Sequence, residues 1–135
     1  MFESLALRLL PGQDLKNELD RLIENKNIEA ACVVTCAGSL ARATLRFANQ
    51  ELATELNGHF EIVSLTGTLS KHGSHCHISL SDEYGRTYGA HLLEGCEIYT
   101  TAEIVIGVLP NVRFSRILDA RTGYPELEIT YLPKP

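Results

Sequence analysis

A hairpin of two β-strands is encoded most clearly in residues 74–92, SHCHISLSDEYGRTYGAHL. Side chains alternate between the two faces of a strand, so His75 and His77 share one face while Cys76 and Ile78 share the other. The apolar face is expected to pack on the core. The histidines are then expected on the opposite, more polar face of the sheet.

The loop between the two strands fixes how they pair. Residues 83–85, Glu-Tyr-Gly, have the signature of a three-residue hairpin loop in which Gly85 takes the left-handed conformation. Asp82 then pairs with Arg86, and the pairing continues along both strands in step. Because a slip of one residue would turn every side chain to the other face, the loop type decides which residues meet.

In this register His77 pairs with His91, and His75 lies two residues along on the same face. Directly opposed residues have β-carbons roughly 4.5–5.5 Å apart. Imidazole is the commonest zinc ligand in proteins and also suits copper, iron and nickel. The segment therefore predicts a divalent-metal site, zinc or another transition metal, at His75, His77 and His91.

Three protein ligands with a fourth position left open are typical of a catalytic zinc. The alternative interpretation is that the three histidines are scattered polar residues on a solvated sheet face. The sequence identifies no general acid, general base or substrate pocket, so it leaves open whether the protein is an enzyme.

Outside the hairpin, the pattern predicts one helix and several further strands. Asp14 is a suitable N-cap for a helix with Leu15 and Leu19 on its apolar stripe, closed by residues 25–27. Gly38-Ser39 is predicted to be a turn and residues 48–58 a loop or edge. The remaining strands are predicted at residues 2–10, 30–37, 40–47, 60–70, 97–109, 112–118 and 127–132.

These elements predict an α+β fold, a strongly curved, mostly antiparallel β-sheet with one main helix near the N-terminus. No internal repeat or linker interrupts the 135 residues, which suit a single domain spanning 1–135. The first residues lack the basic start of a signal peptide, and no apolar run approaches membrane-spanning length. The sequence thus predicts a cytoplasmic protein that does not enter a membrane.

The four cysteines are expected to be buried thiols: Cys32, Cys36, Cys76 and Cys96.

The net charge is −5, with lysines and arginines scattered along the chain. This distribution argues against a domain that binds nucleic acid through its own electrostatic field. Arg42 and Arg46 share one face of a predicted strand, where they either bind an anionic ligand or belong to a solvated face.

Two carboxylates and two more histidines are the other groups of interest. Glu61 and Glu103 lie in β-forming runs, where each is either a hydrogen-bond acceptor for a ligand histidine or a solvent-facing acid. His59, after Asn-Gly, is expected in a turn. His72, before a glycine, is expected in a loop or in the second sphere of the metal site.

Several segments together resemble the plants-and-prokaryotes-conserved (PPC) domain, also called DUF296. The resemblance covers almost the whole chain and is most specific between residues 60 and 105. It is carried by FEIVSLTGT (60–68), SHCHISL (74–80), GAHLLEGC (89–96) and TTAE (100–103), with GSL (38–40) and ATLR (43–46) earlier in the chain.

Membership implies a strongly curved antiparallel sheet and assembly as a homotrimer. In plants the domain is attached to AT-hook segments that bind A·T-rich minor grooves, and bacterial members are often described as predicted DNA-binding proteins. This chain has no Arg-Gly-Arg-Pro hook. The fold is also similar to that of α-acetolactate decarboxylase, in which His-x-His and a later histidine hold a catalytic zinc, and His75, His77 and His91 look like the matching positions.

Two functional hypotheses follow. In the first, the chain is a trimeric metal-binding domain that either binds a small molecule or catalyses a metal-dependent reaction. In the second, it is a DNA-associated regulatory or protein-interaction module in which the histidines are structural.

Overall fold

The computed structural model describes residues 3–135. One helix and eight strands follow each other along this part of the chain: β1 (Glu3–Leu9), α1 (Leu15–Asn25), β2 (Ala31–Arg46), β3 (Thr54–Leu69), β4 (His75–Ser81), β5 (Thr87–Leu92), β6 (Glu97–Val108), β7 (Val112–Asp119) and β8 (Tyr124–Tyr131). The predicted α+β class, with its one helix near the N-terminus, is confirmed.

Six strands form an antiparallel sheet in the order β1-β6-β2-β3-β4-β5, and β7 and β8 form a separate two-stranded sheet. The end of β2 also pairs with β5, through Leu45–Leu92 and Arg46–His91. Strands β2 to β5 therefore curl back on themselves. A bulge between Leu40 and Arg42 interrupts the pairing of β2 with both β3 and β6, and such bulges increase local bending and twist.

The helix packs its apolar stripe against the inside of the curved sheet. Leu15, Leu19 and Ile23 are each at most 1% exposed. The Asp14 side chain caps the helix by accepting a hydrogen bond from the Asn17 amide at 3.0 Å. Across residues 3–135, no helix combines the length and apolar character needed to cross a bilayer.

The turn predicted at Gly38-Ser39 is wrong, because β2 runs straight through both residues. Gly38 lies where β6 passes very close. A β-carbon there would overlap the carbonyl oxygen of Thr101 and lie 2.7 Å from the α-carbon of Ala102. This glycine therefore permits the close approach of a neighbouring strand rather than a reversal of the chain.

The region predicted as a loop or edge, residues 48–58, is only partly irregular, since β3 already begins at Thr54. His59 is consequently inside a strand and not in a turn. Its ring stacks on the ring of Tyr99, with centroids 4.0 Å apart, so an aromatic contact with β6 supports the longer strand.

Two further predictions concern the residues at which the first and last strands begin. The first strand was expected from Phe2, which lies outside the described residues. The last strand begins at Tyr124 rather than Leu127, because the turn after Asp119 is short. The amides of Thr122 and Gly123 both donate to the Asp119 carbonyl oxygen, at 3.1 and 2.8 Å.

Candidate metal centre

The β4–β5 hairpin has the predicted register. His77 is paired with His91, and the Asp82 amide donates to the Arg86 carbonyl at 2.9 Å. Gly85 has φ +78°, in the left-handed region that the three-residue loop requires. The turn chemistry in the sequence was therefore sufficient to place the two histidines opposite each other.

The structure brings all three predicted histidines together. One ring nitrogen from each of His75, His77 and His91 lies within 4.8 Å of the others. Nε2 of His77 is 3.2 Å from Nδ1 of His91. The ring of His75 is edge-on to that of His77, with centroids 4.8 Å apart, and nearly parallel to that of His91 at 5.7 Å.

This donor set fits a divalent transition metal. Zinc binds imidazole nitrogens at about 2.0–2.1 Å, so two nitrogens on a tetrahedral ion lie roughly 3.3 Å apart. The His77–His91 pair already has that spacing. The other nitrogens would need to approach by at most roughly 1.5 Å to reach it. Within residues 3–135 no cysteine, aspartate or glutamate joins the group.

The surroundings favour neutral imidazoles, the form that binds metal. Partial burial, followed by the charge of His77 and then that of Arg116, lowers the pKa of His75; Glu126 acts weakly in the opposite direction. Partial burial also lowers the pKa of His91, with further contributions from His77 and Arg46. Both rings therefore lose their proton at a lower pH than an ordinary histidine.

The face of β4 opposite the histidines packs in the core and fixes the position of the strand. Ile78 and Leu80 are at most 1% exposed, as the alternation predicted. Cys76 packs behind the histidines, and burial raises the pKa of its thiol to about 11, so it is protonated at neutral pH. A β-carbon on Gly67 would overlap the Cys76 sulfur and lie 2.7 Å from the His75 carbonyl oxygen, so only glycine fits there.

The cluster lies at the meeting point of three depressions in the surface. A cavity of about 200 Å³ lies between His75, His91 and the Lys16–Asp20 pair of the helix. A shallow cavity of about 350 Å³ on the His77 side is bordered by hydroxyl groups from Ser64, Thr66 and Ser79. A third, open cavity of about 1090 Å³ reaches from His75 and His91 towards the β7–β8 hairpin.

Two arginines border the largest cavity. Arg46 is paired with His91 across the β2–β5 ladder. Arg116 comes from β7, and its Nη2 donates to Thr68 Oγ1 at 3.1 Å. Sequence reasoning had singled out Arg46 but missed Arg116, because nothing in the local pattern places the β7–β8 hairpin against β3.

The other residues singled out from the sequence lie away from the cluster. Glu61 is exposed and paired with Ser81 at the far end of β4. Glu103 is exposed on β6, which does not pair with β4 or β5. Arg42 lies 3.9 Å from Glu97. None of the three touches a ligand histidine.

His72 is in a loop, as expected, but its partner is Glu29. Its Nε2 is 3.0 Å from Glu29 Oε2, and the same carboxylate binds Lys71 at 2.7 Å and Arg113 at 3.1 Å. This network joins the β3–β4 loop to β7, so His72 serves that junction and not the second sphere of the histidine cluster.

Comparison with protein families gives a clear match. The model of the Plants and Prokaryotes Conserved domain matches residues 1–110. The chain belongs to this family. The histidine cluster, the curved sheet and the single helix described above all lie within the matched part of this family member.

Relatives extend the comparison. Two Synechococcus proteins named bifunctional protein GlmU are 50% identical over 123 residues, but the chain spans only about a fifth of their length. A hypothetical protein from Salmonella has 44% identity and a TM-score of 0.95, covering 97% of this chain and 95% of that one.

Two solved structures differ more in sequence. A metal-containing protein of Archaeoglobus fulgidus has 29% identity and a TM-score of 0.81, covering 95% of this chain and 96% of that one. A candidate DNA-binding protein of Bacteroides thetaiotaomicron has 20% identity and a TM-score of 0.83, covering the same shares of both chains. At that identity the likeness concerns the fold alone.

Proposed function

We propose that this Plants and Prokaryotes Conserved domain binds a divalent transition metal ion, zinc in the first instance, through His75, His77 and His91. The metal would face a small molecule held in the adjoining cavities. The observation that carries the proposal is the convergence of three imidazoles within 4.8 Å, with one pair at 3.2 Å.

Two further features support a metal role over a purely structural one. Neutral His77 and His91 can share a hydrogen bond at 3.2 Å, but within residues 3–135 the His75 ring has no hydrogen-bond partner, so a shared ion accounts better for its approach to the other two rings. Here burial and the neighbouring charges lower the pKa of His75 and His91, which favours the neutral ligand form. The A. fulgidus relative, described as a metal-containing protein, agrees with this role.

The three histidines supply three ligands, one fewer than the four protein ligands of a structural zinc site. The fourth position is left for a ligand from solution. A metal in such a position supplies Lewis-acid polarisation of a bound oxygen. The chain itself contributes the fixed hairpin that orients the rings, hydroxyl groups beside His77, and two guanidinium groups at the largest cavity. These groups can bind and orient a small polar molecule.

Calorimetric titration of chelator-treated protein with zinc tests the proposal. The wild type is expected to bind zinc, and His77→Ala is expected to bind it at least about ten-fold more weakly, because removal of one of three ligands leaves an incomplete site. His59→Ala is the matched control, since His59 lies in a strand but stacks on Tyr99 away from the cluster. Equal zinc binding by wild type and His77→Ala would contradict the proposal.

We also propose that the chain forms one domain over residues 1–135 and assembles as a homotrimer. The Salmonella relative corresponds to nearly the full length of both chains, which supports a single unit. Leu118, Ile129 and Tyr131 share one face of the β7–β8 hairpin by their pairing and are 50–81% exposed. Exposed apolar faces of this kind are typical of association surfaces.

The DNA-associated hypothesis has less support on this chain. Its basis is the B. thetaiotaomicron neighbour, at 20% identity, while this chain carries a net charge of −5. Direct DNA binding would require salt-sensitive retention of duplex. We expect no retention of an A·T-rich duplex at low salt, and clear retention that weakens with added salt would favour the second hypothesis.

A further inference from the structure

The two arginines at the largest cavity have a specific relation to the histidine cluster. Arg46 is the direct strand partner of His91. Arg116 is hydrogen-bonded to Thr68, which is the strand partner of His75. A guanidinium group is therefore placed beside each of two ligand histidines, one from the main sheet and one from the separate hairpin.

Arg46 and Arg116 also lack the acidic partners that five of the eight arginines have. Arg21, Arg42, Arg86, Arg113 and Arg121 each form an ion pair with an acid between 2.6 and 3.9 Å away. Within residues 3–135, Arg46 and Arg116 have no carboxylate oxygen within 4.0 Å. Two half-buried guanidinium groups thus retain donors that no acid of the described chain occupies.

The side chain of Arg116 is held in one position by its contacts. Its Nη2 donates to Thr68 Oγ1 at 3.1 Å, and its stem packs on the backbone of Gly73, where a β-carbon would lie 3.3 Å from Cγ. A guanidinium that is fixed in this way loses less conformational entropy when it binds a ligand.

The cavity contains two acids as well, and their placement matters. The Oε1 atom of Glu126 accepts a hydrogen bond from Thr122 at 3.1 Å, which draws this side chain towards the β7–β8 turn. Glu51 lies on the exposed wall. Arg46 and Arg116 are thus tied directly to the strand partners of ligand histidines, whereas Glu126 is tied to the β7–β8 turn and Glu51 is exposed.

From this arrangement we infer that the cavity of about 1090 Å³ binds a small molecule through an oxyanion, a carboxylate or phosphate group, held by Arg46 and Arg116 beside the histidine cluster. Guanidinium groups recognise both kinds of oxyanion by charge-assisted hydrogen bonds. The inference deepens the proposed function and rests on it for the role of the metal. The oxyanion would be oriented by the arginines, leaving another oxygen of the ligand to face the histidines.

The test is a titration of zinc-loaded protein followed by the ¹H–¹⁵N signals of the arginine side chains, with inorganic phosphate, acetate and neutral acetamide as probes. Phosphate or acetate is expected to shift the Arg46 and Arg116 signals saturably, and acetamide is not. Arg46→Gln and Arg116→Gln are each expected to weaken anion binding by about ten-fold or more, as for loss of a hydrogen bond to a charged group. Arg42→Gln is the matched control, because Arg42 is outside the cavity and pairs with Glu97.

The comparison of the two anions identifies the ligand class. Preferential binding of phosphate indicates a phosphorylated ligand, and preferential binding of acetate indicates a carboxylic acid. Anion affinity that is unchanged in both arginine variants, or equal binding of acetamide, would overturn the inference. Should Arg116→Gln unfold by circular dichroism, Arg116→Lys keeps the charge without the planar fork and is expected to give a smaller loss.

Zinc content measured on the same samples separates this inference from the proposed function. If zinc binds normally to all the variants and anion affinity does not depend on the arginines, the anion site is wrong and the metal site stands. If the wild type takes up no zinc but still binds anions in an arginine-dependent way, the metal proposal is wrong and the anion site stands.

Discussion

Nε2 of His77 lies 3.2 Å from Nδ1 of His91, across a pair of strands joined by a three-residue turn. The spacing matches that of two nitrogens on one tetrahedral ion, roughly 3.3 Å. It exists because Gly85 takes a positive φ and sets the register in which these two residues face each other. A local turn residue thus determines the geometry of the candidate metal centre.

Metal-free protein is expected to lose stability as the pH falls below the ordinary histidine range. The pKa of His75 and of His91 is lowered from 6.5 in the folded chain, so the unfolded chain takes up protons first. The free energy of unfolding should therefore decrease as the pH falls from 6.5 through the folded pKa values. Urea unfolding at several pH values between 8 and 5 measures this, using His75→Gln/His91→Gln for comparison.

The double variant lacks both titrating rings, so its stability should change less over that range. A pH dependence of unfolding that is the same in the wild type and the double variant would contradict the assignment of the lowered pKa values to these histidines.

The Glu29 network should stabilise the fold at neutral pH. Lys71, His72 and Arg113 lower the pKa of Glu29 to about 2, and Lys71 has the largest effect. The stabilisation is present above the ordinary pKa of 4.5 and is lost as the pH falls towards about 2. Because the network is at the surface, Glu29→Gln is expected to cost only about 1 kcal/mol at pH 7.

The same substitution should cost progressively less in urea unfolding at pH 4 and pH 3. Glu24→Gln is the matched control, since Glu24 is exposed and has no ion pair within residues 3–135. An effect of Glu29→Gln that does not diminish on acidification would mean that the carboxylate acts by packing and not by charge.

Gly67 should be essential for the position of β4. Gly67→Ala forces its β-carbon into the Cys76 sulfur and the His75 carbonyl, so we expect a loss of about 1–3 kcal/mol in stability, the usual cost of overpacking. Zinc affinity should fall as well, because His75 moves with its backbone.

Gly89→Ala provides the comparison, since its β-carbon would make two ordinary contacts, with Ser79 Oγ at 3.5 Å and the Ile78 carbonyl oxygen at 4.0 Å. Differential scanning calorimetry and zinc titration of both variants measure the two effects. Equal tolerance of the two substitutions would contradict the close contact between β3 and β4 at Gly67.

Self-association should depend on the β7–β8 hairpin. Light scattering is expected to give three times the chain mass of 14.9 kDa. Leu118→Glu/Ile129→Glu should shift the protein to the monomer, because charges replace two exposed apolar side chains of one face. A monomeric wild type, or a double variant that remains trimeric, would rule out this surface as the trimer interface.

The sequence was most informative where structure is local. Alternation and turn chemistry in residues 74–92 placed His75, His77 and His91 correctly, and Asp14 marked the start of the helix. It was least informative where distant elements meet. Gly38 resembled a turn because its close neighbour, β6, is more than 60 residues away in the chain.

The same reason explains why Arg116 was missed. Its contact with Thr68 joins two separate sheets, and no periodic pattern of either strand predicts how the sheets pack. Arg46 was visible as a strand residue, but its relation to His91 depends on the curling of the sheet that brings β2 against β5. Residues that meet only because the sheet curls back on itself cannot be placed together without the three-dimensional structure.

Elemental analysis of protein purified without chelators, in wild type and in His75→Ala/His77→Ala, tests the central claim most directly. The wild type is predicted to carry about one divalent transition metal per chain, and the double variant to carry almost none, since one histidine cannot hold the ion alone. His59→Ala should retain the wild-type content. A metal-free wild type, or a double variant with undiminished metal, would contradict the assignment of His75, His77 and His91 as the ligands.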